Sequence, residues 1–115
     1  MYLVHERDGE SRRLADDVDT ADTFLSQVRG LMFRPRLPDD YALVFRFGDV
    51  AERDVHMVFV FVPLDVLWIV DGSVRRKERL LPWRGFAIEE ADTLVELPAG
   101  AAAEVAEGDR VRLVE

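Results

Sequence analysis

His56 and Asp65 stand in the stretch DVHMVFVFVPLDVLWIVDG, residues 54–72, where nearly everything else from Val55 to Val70 is apolar. A histidine oriented by an aspartate is the pairing used for general-base catalysis and behind metal ligands. The companions such chemistry needs are sparse. The only serines are Ser11, Ser26 and Ser73, and there is no cysteine to act as a nucleophile or thiolate ligand. The second histidine is His5, so a metal site would have to draw on carboxylates such as Asp54 or Asp65. No metal and no cofactor is therefore expected, and a hydrogen-bonded structural role for His56 outweighs a catalytic one.

Asp65 is the more telling residue. It lies between Leu64 and Val66, and burying an unpaired carboxylate is very costly, so it needs a partner. Arg29 and Arg34 are the expected partners, because they fall at the end of the one clear helical pattern, where cations also suit the helix dipole. Such a pair either locks helix to sheet or lines a polar pocket; the lock is favoured. A second charged run, Arg75 to Arg79 (RRKER), sums to +3 and invites comparison with a nucleic-acid patch. Strand alternation divides those charges between two faces, so a solvated edge strand is the stronger reading.

These residues must be positioned by short strands and few helices. Residues 2–5 and 11–18 read as a hairpin around Asp8-Gly9. Phe24, Leu25, Val28, Leu31 and Met32 form one apolar helical face, so a main helix is expected near residues 20–33, ended by Pro35. YALVFRF (41–47) alternates as a strand, with a turn expected at Gly48-Asp49. Val55 to Val62 is expected to be a strand covered on both faces, broken at Pro63 and followed by a second strand from Leu64 to Val70. Asp71-Gly72 suits a two-residue hairpin turn into SVRRKERLL. PWRGFAIEEAD reads as a loop, TLVEL as a short strand, AAAEVAEGD as a short helix near 99–106, and RVRLV as a last strand. The expected fold is mainly β: a compact antiparallel sandwich or barrel in a single domain, residues 1–115.

Composition narrows the setting. The 23 Asp and Glu outnumber 15 Lys and Arg, giving a net charge of −8, and Lys77 is the only lysine. A strongly acidic chain with screened self-repulsion fits a salt-adapted, cytoplasmic protein. The start, MYLVHERDGE, has neither a basic region nor an apolar core of secretory length, so no signal segment is expected. The greasy central run is shorter than a spanning helix needs and contains Pro63 and Asp65, so no membrane span is expected.

The order of segments resembles a known family. RGLMFRPRLPDDYALVF, HMVFVFVPLDVLWIVDGSV, a Pro-Trp loop and TLVELPAGAAAEVAEGDRV are together similar to the domain of unknown function 192 family, also called UPF0127, over roughly residues 18–115. The resemblance implies a compact, mainly β domain of sandwich or jelly-roll type, with a helix carrying GLMFR, and it brings no established reaction, substrate or cofactor. By motif position, Arg29 to Arg34 correspond to the helix-end signature, and Met57, Pro63, Leu64 and Asp65 to the strand-pair signature. His56 stands where the family commonly has an aromatic residue, and Val58, Phe59 and Val60 stand where it has Lys-Asn-Thr.

The function expected on these grounds is binding of a small ligand, an anion among the options, or of a protein partner. The expected site is a polar pocket near Asp65 made with Arg29, Met32, Arg34 and His56. A hydrolase or metal-assisted enzyme using His56 and Asp65 is the alternative, and weak nucleic-acid binding through Arg75–Arg79 the third.

Overall fold

In the computed structural model, residues 1–22 and 30–115 are described. Eight strands follow one another: β1 (Tyr2–Arg7), β2 (Glu10–Ala15), β3 (Asp17–Thr20), β4 (Tyr41–His56), β5 (Leu64–Val70), β6 (Ser73–Leu80), β7 (Phe86–Pro98) and β8 (Arg110–Val114). They form one sheet in the order β2-β1-β8-β6-β5-β7-β4-β3. All neighbours are antiparallel except β3 and β4. The two Asp-Gly hairpin turns form as expected, because Asp8 and Gly9 (φ 51° and 80°) and Asp71 and Gly72 (φ 51° and 78°) both supply the two positive φ angles required.

The sheet carries a core on each face. Strand β5 shows why: Leu64, Val66 and Trp68 point into one cluster with Leu43, Phe45, Val55, Met57 and Leu94. Leu67 and Ile69 point into the other, with Leu3, Val44, Val95, Leu97 and Val111. Every residue of β5 except its last is buried, matching the near-continuous apolar sequence. Trp68 is fully buried and donates from Nε1 to the Arg53 carbonyl at 2.8 Å, so its one polar atom is satisfied.

Several expectations are corrected. Gly48-Asp49 does not reverse the chain. It sits in a bulge within β4, where the pairing with β7 jumps from Arg46↔Thr93 to Ala51↔Ala91 and Gly48 takes φ 87°. The expected strand from Val55 to Val62 ends at His56, and the chain from Met57 to Pro63 is a loop with Val58, Phe59 and Phe61 exposed. Residues 82–92, expected as a loop, are largely strand, because β7 begins at Phe86.

The helix expected near 99–106 is instead a series of four-residue turns. Ala101 N bonds Pro98 O, Ala103 N bonds Gly100 O and Val105 N bonds Ala102 O. Most of the helix expected near 20–33 lies outside the described residues. Of its ends, Thr20 closes β3 and Gly30 to Phe33 form turns.

Candidate functional site

Asp65 is 4% exposed and its carboxylate is fully engaged. Oδ1 accepts from Arg79 Nε at 3.0 Å, and Oδ2 accepts from the backbone N–H groups of Gly100 (2.9 Å) and Ala102 (3.0 Å). The arginine partner therefore comes from the neighbouring strand β6, whose Arg79 pairs with Asp65 in register. Arg34 lies elsewhere, its guanidinium 5.1 Å from the centre of the Tyr41 ring, and Arg29 is outside the described residues. What Asp65 does is pin the turns after β7: its charge is matched by one cation and two amide dipoles.

Asp109 repeats the device at the start of β8. Its carboxylate accepts from His5 Nε2 (2.7 Å), Arg7 and the Ala106 N–H (2.9 Å). The Arg7 hydrogen bond, with those from Ala106 and His5, holds this carboxyl well below the usual carboxylate range. An aspartate that stays ionised can only accept, so His5 carries its proton on Nε2.

His56 is exposed at the end of β4, and its Nδ1 accepts the Val58 N–H at 3.3 Å. The donors to Asp65 are Arg79, Gly100 and Ala102, and the structure does not join His56 to Asp65. Among the described residues no three His, Asp or Glu side chains gather as a metal site.

The polar group with room around it is Glu96, which sequence reasoning passed over. It pairs across the sheet with Leu43 and Val66, and so shares the face of the first core, whereas Asp65, paired with Leu97, belongs to the other face. Glu96 is 6% exposed, and no hydrogen bond to its carboxyl is found among the described residues. Burial alone pushes its pKa up to about 7. The signal was present in sequence: in LVEL, Glu96 alternates with Leu94, which puts a carboxyl among core side chains.

Glu96 borders a cavity of about 250 Å³. Leu31, Met32, Phe45, Val55, Val60 and Leu94 supply apolar walls, and Glu52, Arg53, Asp54 and His56 bring charge from the second half of β4. Gly30 (φ 50°) closes another side; a Cβ there would lie 3.5 Å from Glu96 Oε1 and 3.6 Å from Phe45 Cζ. Arg53 is committed to its own surroundings. Its Nε donates to Ala91 O (3.1 Å), its terminal nitrogen to Asp49 (2.8 and 2.9 Å), and its guanidinium lies 4.0 Å over the Phe47 ring. Of the expected site residues, Met32 and His56 line this cavity. Arg34 borders a shallower hollow with Asp19 and Tyr41, where burial and the hydrogen bond to Asp19 push the Tyr41 hydroxyl up to about 12.

Fold and site together define a small β-sheet domain in which two buried aspartates tie down turns and one buried glutamate faces a cavity. Residues 4–113 match the family model of domain of unknown function 192, described as uncharacterised ACR, COG1430, and the chain belongs to that family. A UPF0127 protein of Thermococcus kodakarensis is 31% identical over 102 residues, 82% of this chain and 62% of that protein. One from Thermococcus gammatolerans is 29% identical over 103 residues, covering 82% and 64%. The chain thus spans somewhat less than two thirds of the length of these relatives.

Two solved structures share the fold. One, from Sinorhizobium meliloti 1021 and described as a proposed transcription regulator, has TM-score 0.84 and 28% identity, covering 96% of this chain and 92% of its own. The other, a protein of unknown function from Novosphingobium aromaticivorans, has TM-score 0.83 and 22% identity, covering 97% and 84%.

Proposed function

We propose that this domain binds a small, largely apolar molecule carrying a protonated amine or comparable hydrogen-bond-donating head, seated in the Glu96 cavity. No activity is established for the family, and binding rather than catalysis is the reading adopted here. The single observation that carries it is the buried Glu96 carboxyl, without a hydrogen-bond partner among the described residues, at the edge of an apolar-walled cavity. The carboxyl faces the cavity, so a ligand donor seated there would meet an acceptor that nothing among the described residues meets. Glu52, Asp54 and Glu96 outnumber Arg53 around the cavity, so the preferred ligand is cationic, opposite in sign to the anion anticipated from Arg29 and Arg34. At about 250 Å³ the cavity suits a fragment-sized molecule, with affinities in the roughly 10 μM to millimolar range.

A sandwich- or barrel-like coiling of the sheet supports this reading. It brings β1 and β3 into contact and leaves the first core face turned inward around Glu96. Nucleic-acid binding through the 75–79 run has less support. Arg76 bonds Glu78 and Ile88 O, Lys77 bonds Ala102 O and Arg79 bonds Asp65, which leaves Arg75 as the cation of this run with no bond among the described residues.

Calorimetry with benzylamine and, separately, benzoate tests the proposal. Benzylamine should bind, more tightly as pH rises from 6 to 8, and Glu96→Gln should abolish the binding. Equal binding to the variant, or binding of benzoate alone, contradicts it.

A further inference from the structure

Among the described residues, three of the five non-glycine residues with positive φ are exposed aromatics in one cluster: Phe33 (68°), Phe59 (61°) and Trp83 (67°). The other two are the hairpin aspartates Asp8 and Asp71. A bulky residue in the left-handed region is strained, at a cost of order 1–3 kcal/mol, and persists only where the surroundings enforce it. Here backbone braces do so: Phe33 N donates to Phe59 O (2.8 Å), Val60 N to Met57 O (3.0 Å) and Trp83 N to Met57 O (2.9 Å). Below them Gly85 packs so closely that a Cβ would fall 2.7 Å from Met57 Cγ and 2.9 Å from the Leu81 nitrogen.

The braced loops hold their aromatics out of the core. Phe33 stacks on Phe59 at 5.0 Å, Phe59 meets Trp83 edge-on at 5.0 Å, and Phe61 lies 5.9 Å from Trp83. These four side chains remain 41–53% exposed, with Val58 and Leu81 exposed in the same loops. Charge distinguishes this surface from the rest of the molecule. Segments 30–38, 57–63 and 81–86 contain Arg34, Arg36 and Arg84 and no acidic residue, within a chain of net charge −8.

We propose that this aromatic patch docks onto an anionic lipid surface, lying at the interface without spanning it. Trp and Phe suit the headgroup region, and flanking arginines add attraction to acidic lipid. The chain's overall negative charge acts against approach, but at physiological salt it is screened beyond about 8 Å, so Arg36 and Arg84 govern the contact, with Arg34 drawn to Tyr41 and Asp19. A second copy meeting this face symmetrically would set Arg36 and Arg84 against their own copies, which disfavours self-association there.

The test is vesicle binding followed by tryptophan fluorescence. Trp68 is fully buried, so a change on binding reports Trp83. Vesicles of phosphatidylglycerol should sediment the protein and shift its emission to the blue, and those of phosphatidylcholine should bind it at least tenfold more weakly. Arg36→Ala with Arg84→Ala should weaken phosphatidylglycerol binding by about fivefold per arginine. Phe59→Asn with Phe61→Ser should abolish it; asparagine tolerates the left-handed backbone, and an unchanged far-UV spectrum and melting curve confirm the fold. Absence of binding to phosphatidylglycerol overturns the proposal. So does a concentration-dependent blue shift without vesicles, which assigns the patch to a second copy, or a strong preference for an acidic protein partner that vesicles do not compete away.

Discussion

Two kinds of buried carboxyl do opposite work in this domain. Asp65 accepts from Arg79 and two backbone N–H groups, Asp109 from Arg7, His5 and one backbone N–H, and each ties a turn to the sheet. Asp65→Ala strands the buried Ala102 N–H and the part-buried Gly100 N–H and is expected to cost about 3 kcal/mol in urea unfolding. Arg79→Ala removes a half-exposed partner and should cost about 1 kcal/mol or less, a difference that places the weight on the backbone bonds. Glu96 is different, since nothing among the described residues meets its charge.

With a folded pKa near 7 against 4.5 unfolded, the protonated form of Glu96 favours the fold. That contribution is complete below pH 4.5 and disappears as pH rises to about 7, for a total of roughly 3 kcal/mol. Subtracting the stability curve of Glu96→Gln from that of the wild type should reveal this slope, and a flat difference would contradict it. Asp109 acts with the other sign: its contribution is present above the ordinary carboxylate pKa and is lost as pH falls below it.

At the level of elements, local turn chemistry was legible and long-range pairing was not. Both Asp-Gly hairpins, the strand at Tyr41 and the strand from Leu64 to Val70 follow directly from composition and alternation. The run from Val55 to Val62 misleads because its alternation of Val and Phe is that of a buried strand, whereas the phenylalanines face outward on braced loops. Nothing local in the sequence announces those braces, which come from Phe33 and Trp83, distant in the chain. The turns at 98–105 mislead for a related reason: AAAEVAE has helical composition, yet Asp65 holds Gly100 N and Ala102 N in a tighter geometry. Asp65 was identified as needing an arginine, but the partner is its cross-strand neighbour Arg79, a pairing fixed by register that local pattern does not reveal. Gly85 offers a test of the brace. Gly85→Ala forces a methyl against Met57, Leu80 and the Leu81 backbone and should cost about 1–3 kcal/mol, whereas Gly100→Ala, with open space around it, should cost about 1 kcal/mol from its φ of 95° alone.

Across the whole molecule, both faces of the sheet are buried, and the exposed aromatic loops adjoin the Glu96 cavity through Met32, His56 and Val60. The net charge of −8 bears on the molecule as a unit. If it reflects adaptation to salt, molar KCl should raise the melting temperature by several degrees relative to dilute buffer, and equal melting in both would exclude that adaptation. Most of the molecule is accounted for by packing and by saturated polar groups; among the described residues, His5 Nδ1 is sealed without a partner, and the Glu96 carboxyl faces a cavity with no side-chain or amide donor to meet it. A carbon-13 NMR titration of the Glu96 side-chain carboxyl, with and without benzylamine, therefore tests the central claim most directly. A midpoint near pH 7 that moves down when the amine is added is the predicted result. A midpoint near 4.5 that the amine leaves in place would contradict it.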